Sequence, residues 1–329
     1  MLSTYALGLS ISLSPKPVSR LEFNMSKFYF LSIGLLYCSS VLAQRDFQLT
    51  QFIYDKLNVN PAYAGTNFTS NAFVAINSLS GGGGAELAGS QVARANVRLL
   101  STGVGLGLSF ESFSVGDFSS SEMSGTYAYH VRMGDEQYLS LGLEANYRFI
   151  ESSVFASQFQ PPINIGQGDF NFGALYYSQR IYAGVSAENL LGNPIEDPFG
   201  GVIPLSNGKR LFRGMLGSVF SISEKGELQP NLQTAYAEGE QLGYDVNLMY
   251  VWNRSFSIGF SYRYANFPEA VTRDNIDLIA QFKINDKLRI GTGLTFPQGK
   301  SSIQTTGGEV SATWEWSSEE RPYTELPFF

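Results

Sequence analysis

The chain is short of the residue types on which most enzymes depend. It has one cysteine, Cys38, one histidine, His130, and only 16% charged residues in a length of 329. Cys38 lies in a predicted signal sequence, so the mature chain has no thiol, which excludes thiol catalysis, thiolate zinc sites and disulfides. The net charge of −7 and the lack of a basic stripe exclude nucleic acid as an expected partner. No cofactor or metal site is expected.

Long apolar runs are also missing beyond the amino-terminal region. Met25 begins a stretch with Lys27, a short apolar run and small residues up to Ala43, which is typical of a secretory signal cut before Gln44. We therefore expect residues 1–43 to be a signal peptide with an over-extended start, the true start being Met25. Since no later stretch of about 18 apolar residues follows, no membrane-spanning helix is predicted.

The chain is rich in glycine, with 34 residues, and in aromatic side chains, at 14%. Apolar and polar residues alternate in many segments, and in residues 138–149 this places Leu139, Leu141 and Leu143 on one face of a strand. Runs of about nine to eleven residues match a tilted strand that crosses a bilayer. Such strands are predicted at residues 70–79, 89–99, 103–111, 122–132, 138–149, 170–178, 181–188, 211–221, 229–237, 244–252, 255–264, 275–284, 288–296 and 307–316.

Short connections between these strands alternate with longer ones, as in outer-membrane barrels with short periplasmic turns and long extracellular loops. The longer loops are predicted at residues 80–88, 112–121, 150–169, 189–210, 238–243, 265–274 and 297–306. The strands of a soluble β-sandwich also show alternating apolar and polar residues, but the polar face of a sandwich normally carries many Lys and Glu residues, which are sparse here. The fold predicted is all-β, a transmembrane antiparallel β-barrel of about 14 strands over residues 70–316. A periplasmic strap or plug at residues 44–69 precedes it, and a periplasmic tail at residues 317–329 follows.

Four motifs point to one protein family. Residues 48–65 read QLTQFIYDKLNVNPAYAG, residues 170–177 read FNFGALYY, residues 181–191 read IYAGVSAENLL, and residues 280–291 read AQFKINDKLRIG. They closely resemble the PorP/SprF family of the type IX secretion and gliding apparatus of Bacteroidota, and the resemblance covers essentially the whole mature chain. It departs after Gly65, where the polar-aromatic first strand of the family is not matched.

This resemblance implies a location in the outer membrane of a Gram-negative bacterium. The partners implied are outer-membrane lipid, other type IX secretion components and a secreted cargo, such as an adhesin, with a carboxy-terminal sorting domain. The function expected is non-enzymatic support of export or surface anchoring of that cargo. The candidate interaction sites are the loops 150–169 and 189–210 and the motif residues Asn58, Asn60, Pro61, Ala62, Tyr63, Ala64 and Gly65.

Other functions stay open at this point. A porin or solute-transport barrel is the alternative, and a lipid-hydrolysing barrel would need His130 beside a serine. If the apolar faces meet lipid, charges of both signs lie in the lumen; the candidates are Arg94, Arg98, Glu144, Arg148, Arg263, Asp277 and Arg289. Cross-strand ion pairs that close the lumen and a selective channel would use the same residues.

Overall fold

The computed structural model describes most of the predicted barrel and part of the segment before it. The described residues are 52–66, 70–80, 86–99, 102–116, 118–152, 163–192, 209–237, 242–264, 274–298 and 306–316. The predicted signal peptide and the predicted tail at residues 317–329 lie outside them. None of the helices among these residues is long and apolar enough to cross a membrane.

The described strands form one antiparallel sheet in which each strand pairs with its neighbours along the chain. They are β1 (Ser70–Ser80), β2 (Glu86–Leu99), β3 (Val104–Val115), β4 (Phe118–Gly134), β5 (Gln137–Ser152), β6 (Ile163–Ser178), β7 (Ile181–Glu188), β8 (Leu211–Ser218, continued by Phe220–Ser221), β9 (Gly226–Ala237), β10 (Gly243–Trp252), β11 (Phe256–Tyr264), β12 (Asp274–Lys283), β13 (Leu288–Gln298) and β14 (Thr306–Trp316). β1 and β14 pair along their whole lengths and close the sheet. The fold is therefore a closed barrel of 14 strands, which confirms the predicted fold class.

Alternation along each strand separates an apolar outer face from a polar inner face. In β4, Tyr127 and Tyr129 are exposed, whereas Ala128 and His130 are buried. Exposed aliphatic and aromatic side chains occur all around the barrel, and the buried residues include many Asn, Ser, Thr and charged residues. This is the inverse of a water-soluble fold, and it is the arrangement that a barrel surrounded by lipid requires.

The two ends of the barrel differ in their connections. Short connections lie at one end, here called the turn end, at residues 100–103, 135–136, 179–180, 222–225, 253–255 and 284–287. In the turn at residues 253–255, Asn253 and Arg254 both have positive φ angles, 50° and 51°, as a hairpin turn that follows the strand twist requires. The opposite end, with the other connections, is called the loop end.

The sequence prediction placed two loops wrongly at the loop end. Residues 112–121 are not a long loop, because β3 continues to Val115 and β4 begins at Phe118. The predicted loop 150–169 is also shorter, since β5 reaches Ser152 and β6 begins at Ile163. Both errors have one cause: where strands project beyond the lipid, their outward positions become polar, as at Ser112, Ser114, Ser119 and Ser121, and the outward apolar stripe that marks a membrane strand ends.

Candidate functional site: a plug in the barrel lumen

Residues 52–66 form a compact segment inside the barrel, here called the plug. It consists of three 3-10 helices, Phe52–Tyr54, Lys56–Asn58 and Pro61–Tyr63. Pro61 suits the first position of its helix because its φ is fixed and it has no N–H to satisfy. The Asn60 side chain accepts a hydrogen bond from the Ala62 backbone N–H at 2.9 Å, which caps the same helix. Every residue from Val59 to Thr66 is buried, so the motif faces the barrel wall.

The wall has a seat for the plug, formed by inward glycines Gly105, Gly142, Gly173 and Gly184 on four strands. A Cβ at Gly105 would collide with the Ala64 carbonyl. A Cβ at Gly142 would collide with the peptide bond before Ala62, and one at Gly173 would collide with the Asn60 side chain. The absence of side chains at these positions is therefore what allows the plug backbone to approach the wall.

Asn60 fixes the middle of the plug to two neighbouring strands. Its Nδ2 donates to the carbonyls of Ala174 on β6 and Val185 on β7, at 3.1 Å each. Next to it, the Ser186 hydroxyl donates to the Val59 carbonyl at 2.6 Å. An amide that caps a helix and bridges two strands uses nearly all its hydrogen-bonding capacity, so Asn60 is a positioning residue of the plug.

Three wall side chains hold the carboxyl end of the plug. Arg98 donates to the Gly65 carbonyl at 3.3 Å and to the Tyr177 hydroxyl at 3.1 Å. His130 lies 2.8 Å through Nε2 from the Ala64 carbonyl and 2.9 Å through Nδ1 from the Tyr177 hydroxyl. Since a carbonyl can only accept, Nε2 carries the proton and Nδ1 accepts from Tyr177. Both ring nitrogens of His130 thus serve contacts that hold the plug in place.

A buried ion pair joins the amino-terminal half of the plug to the wall. Arg94 on β2 pairs with Asp55 of the plug and with Glu111 on β3, and it donates to the Asn58 side chain at 2.8 Å. The Arg94 and Asp55 side chains are only 2% and 5% exposed. Removing one partner of such a pair would leave the other charge buried, which is strongly unfavourable.

Lys56 is a second charged residue inside the plug. Its Nζ donates to the Ile53 carbonyl at 2.9 Å and lies 5.6 Å from the centre of the Tyr63 ring and 5.3 Å from that of Tyr182. Burial lowers the pKa of Lys56 from its ordinary 10.5 to about 7, because the charged form loses its hydration. Aromatic faces attract a cation but do not replace that hydration fully.

The plug also reaches the opposite side of the lumen. Ile53 packs in one apolar cluster with Met249 on β10 and Ile279 on β12. The hydroxyls of Tyr54 and Ser257 on β11 are 2.8 Å apart. Because the helix Pro61–Tyr63 lies against β4, β5 and β6 on the other side of the barrel, the plug spans the lumen from wall to wall.

The charges predicted for the lumen lie on the inner face and have polar partners. Arg148 pairs with Glu122 at 2.6 Å, Arg263 with Asp245 at 2.9 Å, and Arg289 with Glu315 at 3.1 Å. Glu144 accepts hydrogen bonds from Thr126 and Asn171 at 2.8 Å each, and Asp277 lies 3.6 Å from Arg263. Arg94 and Arg98 contact the plug, as described above. These cross-strand partners satisfy charges that would otherwise be costly in the interior.

Sequence reasoning did not find the relation between the plug and its seat. The sequence predicted residues 44–69 as a strap or plug that closes the barrel or docks on a partner, and the motif residues Asn58 and Asn60 to Gly65 as interaction residues. Their contacts in the structure are with the barrel wall, and the glycine seat was not predicted. A signal was present: Gly142, Gly173 and Gly184 each occupy an inward position of a strand. Glycine weakens a strand and often marks close approach of another backbone.

Comparison with known proteins agrees with this architecture. The family model of the type IX secretion system membrane protein PorP/SprF matches residues 41–313. No curated protein matches the chain. Among solved structures, the monoaromatic hydrocarbon channel CymD is similar with a TM-score of 0.50 and 10% identity, over 85% of this chain and 96% of that one. A deletion mutant of the monoaromatic hydrocarbon channel TodX has a TM-score of 0.50 and 9% identity, over 82% and 94%.

The outer membrane protein Omp33 of Acinetobacter baumannii is also similar, with a TM-score of 0.49 and 10% identity, over 76% of this chain and all of that one. At such identities, the likeness to CymD and to the TodX mutant shows a shared fold and nothing about what the lumen binds.

Proposed function

The chain belongs to the PorP/SprF family of type IX secretion system membrane proteins, and from this premise we propose that it supports export or cell-surface anchoring of a secreted cargo protein. Its location is the outer membrane. There the turn end faces the periplasm and the loop end faces outward, as is general for bacterial barrels. The proposed role is non-enzymatic and depends on protein contacts.

The observation that carries this proposal is the plug. The family motif, which includes Asn60 and Pro61, is packed across the lumen and not displayed at a surface. A barrel with its own chain seated in the lumen is poorly suited to diffusion of solutes. Its outer rim remains available for a cargo, and so the connection between β7 and β8, at residues 189–210, is the proposed cargo contact.

The structure suggests how to remove that connection without opening the barrel. The base of the connection is closed by hydrogen bonds from the Asn189 side chain to the Lys209 carbonyl at 3.3 Å and from Arg210 to the Leu190 carbonyl at 3.4 Å. Residues 193–208 can therefore be replaced by a short Gly-Ser linker. A matched control replaces residues 238–241, at the same end of the barrel, by a similar linker.

We expect the first replacement to abolish surface display of proteins with a carboxy-terminal sorting domain, measured by surface labelling of intact cells. The control replacement should leave display unchanged, and both variants should keep the heat-modifiable mobility of a folded barrel. Unchanged display in the first variant would show that this loop does not bind cargo.

Conductance distinguishes the proposal from a porin. The purified full-length barrel in a planar bilayer should be nearly silent, because the plug occupies the lumen. Steady ion conductance by the intact protein would instead favour the solute-transport alternative.

A further inference from the structure

The plug contacts the wall as a bound peptide contacts a receptor. The wall is complete without it, because β1 and β14 pair directly along their lengths. Among the described residues, no backbone-to-backbone hydrogen bond joins the plug to a strand. The plug is therefore not a part of the sheet, and its contacts do not depend on the ladder that closes the barrel.

Recognition is directed at the backbone of the plug. Three side chains of the wall each contact a backbone carbonyl of the plug through a polar atom; they are Ser186, His130 and Arg98. The glycine seat removes wall side chains where the plug backbone comes nearest. Together these features select a peptide with small residues where its backbone meets the seat, which in the plug are Ala62, Ala64 and Gly65.

Both ends of the plug lie near the turn end. Tyr54 contacts Ser257, the second residue of β11 after a turn. At the other end of the plug, Gly65 accepts a hydrogen bond from Arg98, the residue before the last of β2. A peptide held in this way can enter and leave through one end without threading through the barrel.

We propose that the glycine seat is a peptide-binding site that holds residues 52–66 independently of their covalent link to β1, so that the plug can leave the lumen and be replaced in trans. The ligand class is a short peptide of the plug sequence, offered from the periplasmic side. The barrel is then a receptor whose closed state is a bound state, and its lumen is open only while the seat is empty.

The test uses the full chain, folded before it is cut. A protease site is introduced at residues 67–69, and the purified barrel is cleaved in detergent. The amino-terminal fragment should stay bound through gel filtration. It should exchange with an excess of a fluorescent synthetic peptide of residues 48–66, measured by anisotropy, and the same peptide with Asn60→Ala should bind at least tenfold more weakly.

A scrambled peptide of the same composition is the control for non-specific binding to detergent and barrel, and heat-modifiable mobility reports that the barrel stays folded. Two outcomes would overturn the proposal. In one, the fragment is lost on cleavage and the synthetic peptide does not bind to the emptied barrel. In the other, the fragment stays bound but does not exchange even with a large excess of peptide, which would make the plug a fixed part of the wall.

Discussion

His130 and Ala64, which are 66 residues apart in the chain, are joined by a hydrogen bond of 2.8 Å between the imidazole Nε2 and the backbone carbonyl. The bond connects the single histidine of the protein to the plug. Tyr177 occupies the other ring nitrogen, and Arg98 donates to Tyr177. A residue considered as a catalytic candidate in the sequence therefore links the wall to the plug.

His130→Ala should loosen the plug without changing the barrel. The substitution leaves the Ala64 carbonyl and the Tyr177 hydroxyl short of a partner, which costs about 1–3 kcal/mol for a buried group. The rate at which an added protease cleaves the plug should rise by the factor that corresponds to this free energy, while the heat-modifiable mobility of the barrel stays the same. Tyr177→Phe removes the bonds of this hydroxyl to His130 and Arg98 but none to the plug itself, so its effect should be smaller. Equal cleavage rates in wild type and His130→Ala would contradict the role given to this bond.

Gly142→Leu should expel the plug from its seat. A side chain there meets the Pro61–Ala62 backbone, and overpacking against backbone cannot be relieved by a rotamer change. The expected result is stepwise ion conductance in planar bilayers, where the wild type is silent. The matched control is Gly125→Leu, since a Cβ at Gly125 meets nothing within 4 Å. If both variants are silent, the seat does not depend on glycine.

The pair Arg94 and Asp55 should show strong coupling in a double-mutant cycle. Arg94→Met leaves the Asp55 carboxylate buried without the Arg94 guanidinium and should destabilise the plug by about 3–5 kcal/mol. Combining Arg94→Met with Asp55→Asn should cost much less than the sum of the single changes, because no buried charge is left unpaired between them. The plug becomes protease-sensitive over a range of urea concentration. The midpoint of this transition, multiplied by its slope, gives the free energy that holds the plug in each variant. Additive effects would mean that the two side chains do not stabilise the plug through each other.

The barrel was predictable from the sequence because the pattern that identifies each strand lies within that strand. Each strand carries its own alternation, and residues such as Leu141 and Leu143 are exposed to lipid as the pattern requires. The ends of β3 and β4 were missed, since outside the lipid neither face needs to be apolar. Strand boundaries there depend on pairing with neighbours, which a single segment does not encode.

The plug was less predictable because its contacts are long-range. Asn60 binds carbonyls 114 and 125 residues away, and no periodicity relates these positions. A glycine at an inward position, such as Gly142 or Gly173, does not by itself tell which backbone approaches it. Three short 3-10 helices also leave no repeating pattern of the kind that identifies a longer helix.

Lys56 should make the seating of the plug depend on pH. The seated pKa is about 7 and the ordinary value 10.5, so between these values seating releases a proton. Seating should therefore strengthen as pH rises above 7, by up to about tenfold per pH unit, and level off below 7, where Lys56 is protonated in both states.

The measurement is the rate of protease cleavage of the plug, taken in steps from pH 6 to 9 at constant protease activity. Lys56→Met should abolish this slope and slow cleavage at pH 7, because no charge has to be buried, whereas Lys56→Arg should abolish the slope and speed cleavage. A slope that persists in Lys56→Met would assign the pH dependence to another group.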